Sequence, residues 1–184
     1  SDVKPFGPRL ETGTHILANM RDKRRDILLT ERHMLRFAAA RYFDMEITVK
    51  EVAEHIAWRQ QNIPVPILNK KALACMNKGV LYIHGRTKDF SPILVLDITN
   101  LAGLLKSGEM DPESFCVMHN FIAGYVQANM LTPGQVEKQI CLVNLNQYPC
   151  SELPLSMFKA AANELNGNFS DTVRKVFIVN ATWF

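Results

Sequence analysis

The sequence predicts an α/β fold, with an N-terminal helical unit followed by a mixed β-sheet flanked by helices. Residues 141–145 (CLVNL) and 176–179 (VFIV) are short apolar runs of the kind buried in a sheet, and a helical stretch from Pro154 to Leu165 lies between them. That spacing is a right-handed crossover joining parallel neighbours. Residues 80–83 and 93–98 are two further apolar runs, joined by a polar connection from Gly85 to Pro92 that suits an antiparallel pair. From Arg9 to Gln61 the apolar residues recur at helical spacing instead. Pro64 and Pro66 end that pattern, which divides the chain into a helical unit, 9–66, and an α/β unit, 67–184.

Taken in order, the first eight residues, with Pro5, Gly7 and Pro8, read as an extended arm. Thr30 can cap a helix carrying Met34, Leu35 and Phe37 towards Ala40. Thr48 and Glu51 have the spacing of a capping box, opening a helix with Val49, Val52, Ala53 and Ile56 on one apolar face. Asn69 opens a short helix that Gly79 closes. Asp97, at the end of its strand, reads as a turn or capping residue. Asp111 and Pro112 supply a cap and a first-turn proline for a helix to Met130, striped with Phe115, Met118, Ile122 and Val126. Thr132–Gly134 leads to the strand at 141, and Asn166–Gly167 is a left-handed cap for the crossover helix.

Composition narrows the function. A chain of 184 residues, 47% hydrophobic and 21% charged, is ordinary globular material with one good core or two small coupled ones. A net charge of +3 is too small to call for a nucleic-acid partner. No apolar run approaches the roughly 18 residues that span a bilayer, and no charged-then-apolar leader opens the sequence, so a cytoplasmic location is expected. The run from Arg21 to Asp26 interleaves both signs of charge and reads as a solvated helix face in preference to a weak landing site for anionic membrane.

Catalytic patterns are missing. There is no phosphate-cradling glycine loop, the five histidines are isolated, and no carboxylates stand at ligand spacing, so no cofactor or metal is expected. The four cysteines form no CxxC pair and read as reduced thiols. A Cys141–His119 nucleophile pair could be assembled only by folding, with nothing local to support it.

Two segments carry a resemblance. Asn168–Phe169, Arg174–Lys175 and residues 177–181 (FIVNA) match the closing crossover of the lipid-binding CRAL-TRIO family, with Thr182 where that family usually has proline. More than a hundred residues upstream, 34–44 (MLRFAAARYFD) and 57–60 (AWRQ) match two of its helical words in the same order. The sequence thus resembles a CRAL-TRIO protein of the phosphatidylinositol-transfer kind, ending before that family's gate helix.

The resemblance implies a non-enzymatic domain that binds, and in some members transfers, a single phospholipid or other lipophile in an apolar pocket floored by the sheet. It makes a phosphoinositide the favoured ligand, with transient peripheral contact with the membrane. Arg41 falls at a headgroup arginine, although the neighbouring arginine of the family is Ala39 here. By alternation Leu94 and Leu96 share a side, as do Gln139, Cys141 and Val143. With Ile83, these are expected to line the lipid pocket, and Ile93, Val95 and Leu142 to pack on helices. Gln139 and Cys141 replace a serine and a threonine that hold a choline headgroup in relatives; Ile83 and Leu94 replace two aromatics. An uncovered sheet is also expected to drive self-association. The alternative from another class is an interaction scaffold that keeps the fold without binding lipid.

Overall fold

The computed structural model describes residues 31–62, 70–146 and 148–181. The elements are α1 (Glu31–Ala40), α2 (Met45–Asn62), α3 (Lys70–Asn77), β1 (Leu81–Arg86), β2 (Pro92–Asp97), α4 (Ile98–Lys106), α5 (Pro112–Asn129), β3 (Gln139–Asn144), α6 (Leu155–Asn168) and β4 (Val173–Val179). The expected boundary at Pro64–Pro66, the N-terminal arm and the Thr30 cap lie outside the described residues.

The sheet has the order β1-β2-β3-β4, antiparallel between β1 and β2 and parallel for the other two pairs. The strand-helix-strand crossover legible in the sequence is therefore present. One in-register row is Ile83–Leu94–Cys141–Val176 and the next is Leu81–Leu96–Val143–Ile178. Side chains alternate along a strand, so both rows point to the same face. The core lies on that face: Leu81 and Leu94 meet Ile98, Leu101 and Leu104 of α4, the full α5 stripe, and Met157 and Ala161 of α6.

This corrects the expectation that helices would cover Ile93, Val95 and Leu142. Two right-handed crossovers that advance across the sheet in one direction must leave α5 and α6 on the same side. That side carries Leu94 and Cys141.

Local chemistry explains most boundaries. The Asp111 carboxylate accepts the Ser114 N–H at 2.8 Å and opens α5, with Pro112 where its missing donor costs nothing. Asp97 accepts the Asn100 N–H at 2.9 Å and opens α4, a helix absent from the sequence-based expectation, which ran the strand through Ile98. Gly79 closes α3 with φ +67°. The capping box at Thr48 is not formed. Asp44 caps α2 instead, accepting the Ile47 N–H at 3.1 Å, and the Thr48 hydroxyl bonds back to the Asp44 carbonyl at 2.5 Å from inside the helix. Similarly, α6 continues through Asn166 and Gly167 to Asn168, so that pair is helical and not a cap.

The two N-terminal helices of the described residues dock through an unexpected face of α2. Val49 and Ile56 are exposed, whereas Thr48 and His55 are buried. The His55 ring lies between Phe37 of α1, 5.0 Å away, and Trp58, 5.9 Å away. Its Nδ1 is 3.3 Å from Asn168 Oδ1 at the end of α6, and Trp58 meets Phe169 edge-on. Arg36 of α1 adds a 2.8 Å ion pair to Glu137, just before β3.

Candidate functional site

The in-register rows and the alternation along β3 bring Ile83, Leu94, Leu96, Gln139, Cys141 and Val143 onto one face of the sheet. That face is not uniform. Over β1 and β2 it is closed by helices, and Leu94 is only 4% exposed. Towards β4 it opens: Val176 and Ile178, in register with Cys141 and Val143, are 58% and 64% exposed. The crossover helix α6 packs on α5 and α2 and leaves these two side chains uncovered among the described residues.

The result is an apolar shelf that starts in the core and runs out to the β4 edge. Cys141 is half-buried between the core and the open part, and burial pushes its thiol up to about 11, so it behaves as a small apolar group. His119 sits inside the helical layer, stacked on Phe115, and burial pushes it down to about 4. An un-ionised thiol and a weakly basic imidazole do not make a nucleophile pair.

Polar groups bound the shelf at both ends of the strands. At the C-terminal end, Asn144 Nδ2 donates to Asp97 Oδ2 at 3.1 Å, and Asn180 Nδ2 donates to Asn144 Oδ1 at 2.8 Å. At the other end Gln139 is buried, and its Oε1 has no partner among the described residues. Sequence reasoning missed Val176 and Ile178. The signal was available, because a parallel crossover that pairs Cys141 with Val176 puts both on the same face.

Arg41 is placed elsewhere, in the turn between α1 and α2. Its Nε donates to Glu51 Oε1 at 2.7 Å and one terminal nitrogen donates to the Ala40 carbonyl at 3.2 Å. No hydrogen bond or ion pair joins it to the six sheet residues among the described residues. A separate depression of about 270 Å3 lies between Lys78, Asn100, Ser107 and Glu109. Lys78 and Glu109 there neutralise each other at 2.7 Å, and the hollow does not reach the sheet residues. No group of metal-binding side chains is found, and no helix is long and apolar enough to cross a membrane, among the described residues.

The fold is thus an α/β module with helices on one side of a mixed sheet and an apolar flank left open on that same side. The chain belongs to the CRAL/TRIO domain family, whose sequence profile matches residues 76–184. Among solved structures the chain is similar to "Crystal structure of Sfh5", with a TM-score of 0.60 and 11% identity. The match covers 80% of this chain and 53% of that one, so the chain spans about half its length. At that identity the likeness speaks for the fold alone. No curated protein matches the chain.

Proposed function

We propose that this chain is the core of a non-enzymatic lipid-binding module that holds one lipophilic molecule over the open β4 flank of its sheet. The observation that carries the reading is the exposure of Val176 and Ile178 beside the half-buried Cys141 and Val143. An acyl chain laid on this shelf would gain about 0.8 kcal/mol for each CH2 removed from water. Native mass spectrometry of the complete protein should show a co-purified lipid; a clean apo mass from a lipid-rich host would count against the reading. A cytoplasmic site of action with reversible membrane contact follows from the same reading.

A phosphoinositide is the favoured ligand, because an arginine fork at Arg41 suits phosphate oxygens. Phosphate would have to displace Glu51. Arg41→Ala is expected to weaken phosphoinositide binding about tenfold, while the loss of one partly exposed ion pair costs only about 1 kcal/mol of stability. Binding to phosphoinositide vesicles and thermal melts, run in parallel, check both numbers. Unchanged affinity would assign Arg41 to the α1–α2 turn alone. That pairing with Glu51 is also the one observation favouring the second reading, an interaction scaffold that retains the fold without lipid.

The exposed apolar β4 edge should seek cover. Light scattering of these 184 residues is expected to show association at rising concentration, suppressed by Ile178→Lys. A concentration-independent monomer would mean that the edge is already protected.

A further inference from the structure

The turn between β1 and β2 presents an aromatic ring that the fold does not use. Phe90 is 67% exposed and sits in the left-handed region with φ +64°, where a glycine or asparagine is at ease and a bulky side chain is strained. The turn is nevertheless held firmly. The Thr87 N–H donates to the Ser91 carbonyl at 2.9 Å, and the Phe90 N–H to the Thr87 carbonyl at 3.0 Å. One Arg86 nitrogen donates to the carbonyls of Phe90 at 2.7 Å and Met130 at 2.9 Å, which ties the turn to the end of α5. Arg174 of β4 and the Thr87 hydroxyl both reach the Asp89 carboxylate. A strained, rigidly supported and exposed phenyl ring is a feature whose reason lies outside the fold.

The charges around it have one sign in excess. Arg86, Lys88, Arg174 and Lys175 are all exposed, and Asp89 is the carboxylate set among them. Lys88 and Lys175 make no ion pair among the described residues, while the nearby Lys138 is already matched by Asp171 at 2.5 Å. Cations that flank a projecting aromatic suit a surface that is negative at its face and apolar just beneath, which is an anionic bilayer. Lys88 is next to the ring in sequence. Lys175 continues the Ile93–Ile140 row on the face opposite the shelf, and its neighbour Arg174 ties the start of β4 to the turn through Asp89.

We propose that the Thr87–Ser91 turn, with Arg86, Lys88, Arg174 and Lys175, is a docking surface for anionic membrane, and that Phe90 enters the interface. This deepens the lipid-binding reading, since a module that takes up a membrane lipid must first meet the membrane. Sedimentation of the complete protein with phosphatidylcholine vesicles, with and without phosphatidylserine, tests it. Wild type should prefer the anionic vesicles and lose that preference in high salt. Phe90→Asn should bind them roughly tenfold more weakly while melting at the same or a higher temperature, because asparagine tolerates φ +64°. The pair Lys88→Glu with Lys175→Glu should lose at least about tenfold on anionic vesicles. Equal binding to both vesicle types, or wild-type binding by both variants, overturns the proposal. Native mass spectra of the same samples keep the two readings apart: a wild type that docks but carries no lipid would overturn the shelf and leave the docking surface standing.

Discussion

Replacing Phe115 with alanine lowers the unfolding free energy by about 3–5 kcal/mol, enough to leave a domain of ordinary stability only marginally folded. The ring is 1% exposed at the N-terminal end of the α5 stripe, where it stacks on His119 at 6.2 Å and meets Phe158 of α6 edge-on at 6.4 Å. Both helices and the sheet contribute to the walls of that site, so none can move in alone to fill the space. Urea unfolding at constant slope measures the loss; a change below about 1 kcal/mol would mean that α5 is not the centre of the core.

Acidification produces the second large effect. His119 is held down to about 4 by burial, with Asn120 opposing, and His33 to about 4 by burial and then by Arg59, Arg36 and His55. His55 is lowered by burial first, with Asn168 opposing and Arg59 adding to the effect. In each case the unfolded chain takes up a proton near pH 6.5 and the folded chain resists it until a lower pH. The stability is thus fully present above pH 6.5 and is lost as pH falls towards 4. For His119 alone the loss approaches about 3 kcal/mol, from a shift of about 2.5 pH units at 1.36 kcal/mol each. Stability should fall steeply between pH 6.5 and 4.5, before most carboxylates titrate, and His119→Phe should flatten part of that slope. A flat profile in the wild type would show that the buried histidines are protonated at little cost.

What the sequence revealed and what it hid have physical reasons. Apolar runs and strong punctuation were read correctly: the α5 stripe, the Asp111–Pro112 start, the Gly79 stop and the parallel β3–β4 pair. The N-terminal unit was harder, because α2 buries His55 and Thr48 and leaves Val49 in water. A stripe drawn through aliphatic residues selects the wrong face when the docking contacts are aromatic and polar. Helix α4 was hidden because Ile98, one residue past Asp97, extends the apolar run of β2, and only the Asp97 cap marks the turn. The six residues expected to line a pocket share one face of the sheet, the one that the helices cover over β1 and β2. Which side the helices occupied could not come from alternation, since apolar residues line both sides of this sheet and neither is labelled by charge. Crossover handedness decides it.

The central claim is that the lipid rests on the helix-side face at β4, and a face-specific pair of substitutions tests it most directly. Ile178 and Phe177 are adjacent on one strand and 64% and 46% exposed, but they point to opposite sides of the sheet. Lysine at either site adds the same charge to the same edge. Native mass spectrometry of the complete protein should then show Ile178→Lys stripped of co-purified lipid and Phe177→Lys loaded like the wild type. Loss of lipid from Phe177→Lys with Ile178→Lys still loaded would contradict the account and move the ligand to the other face.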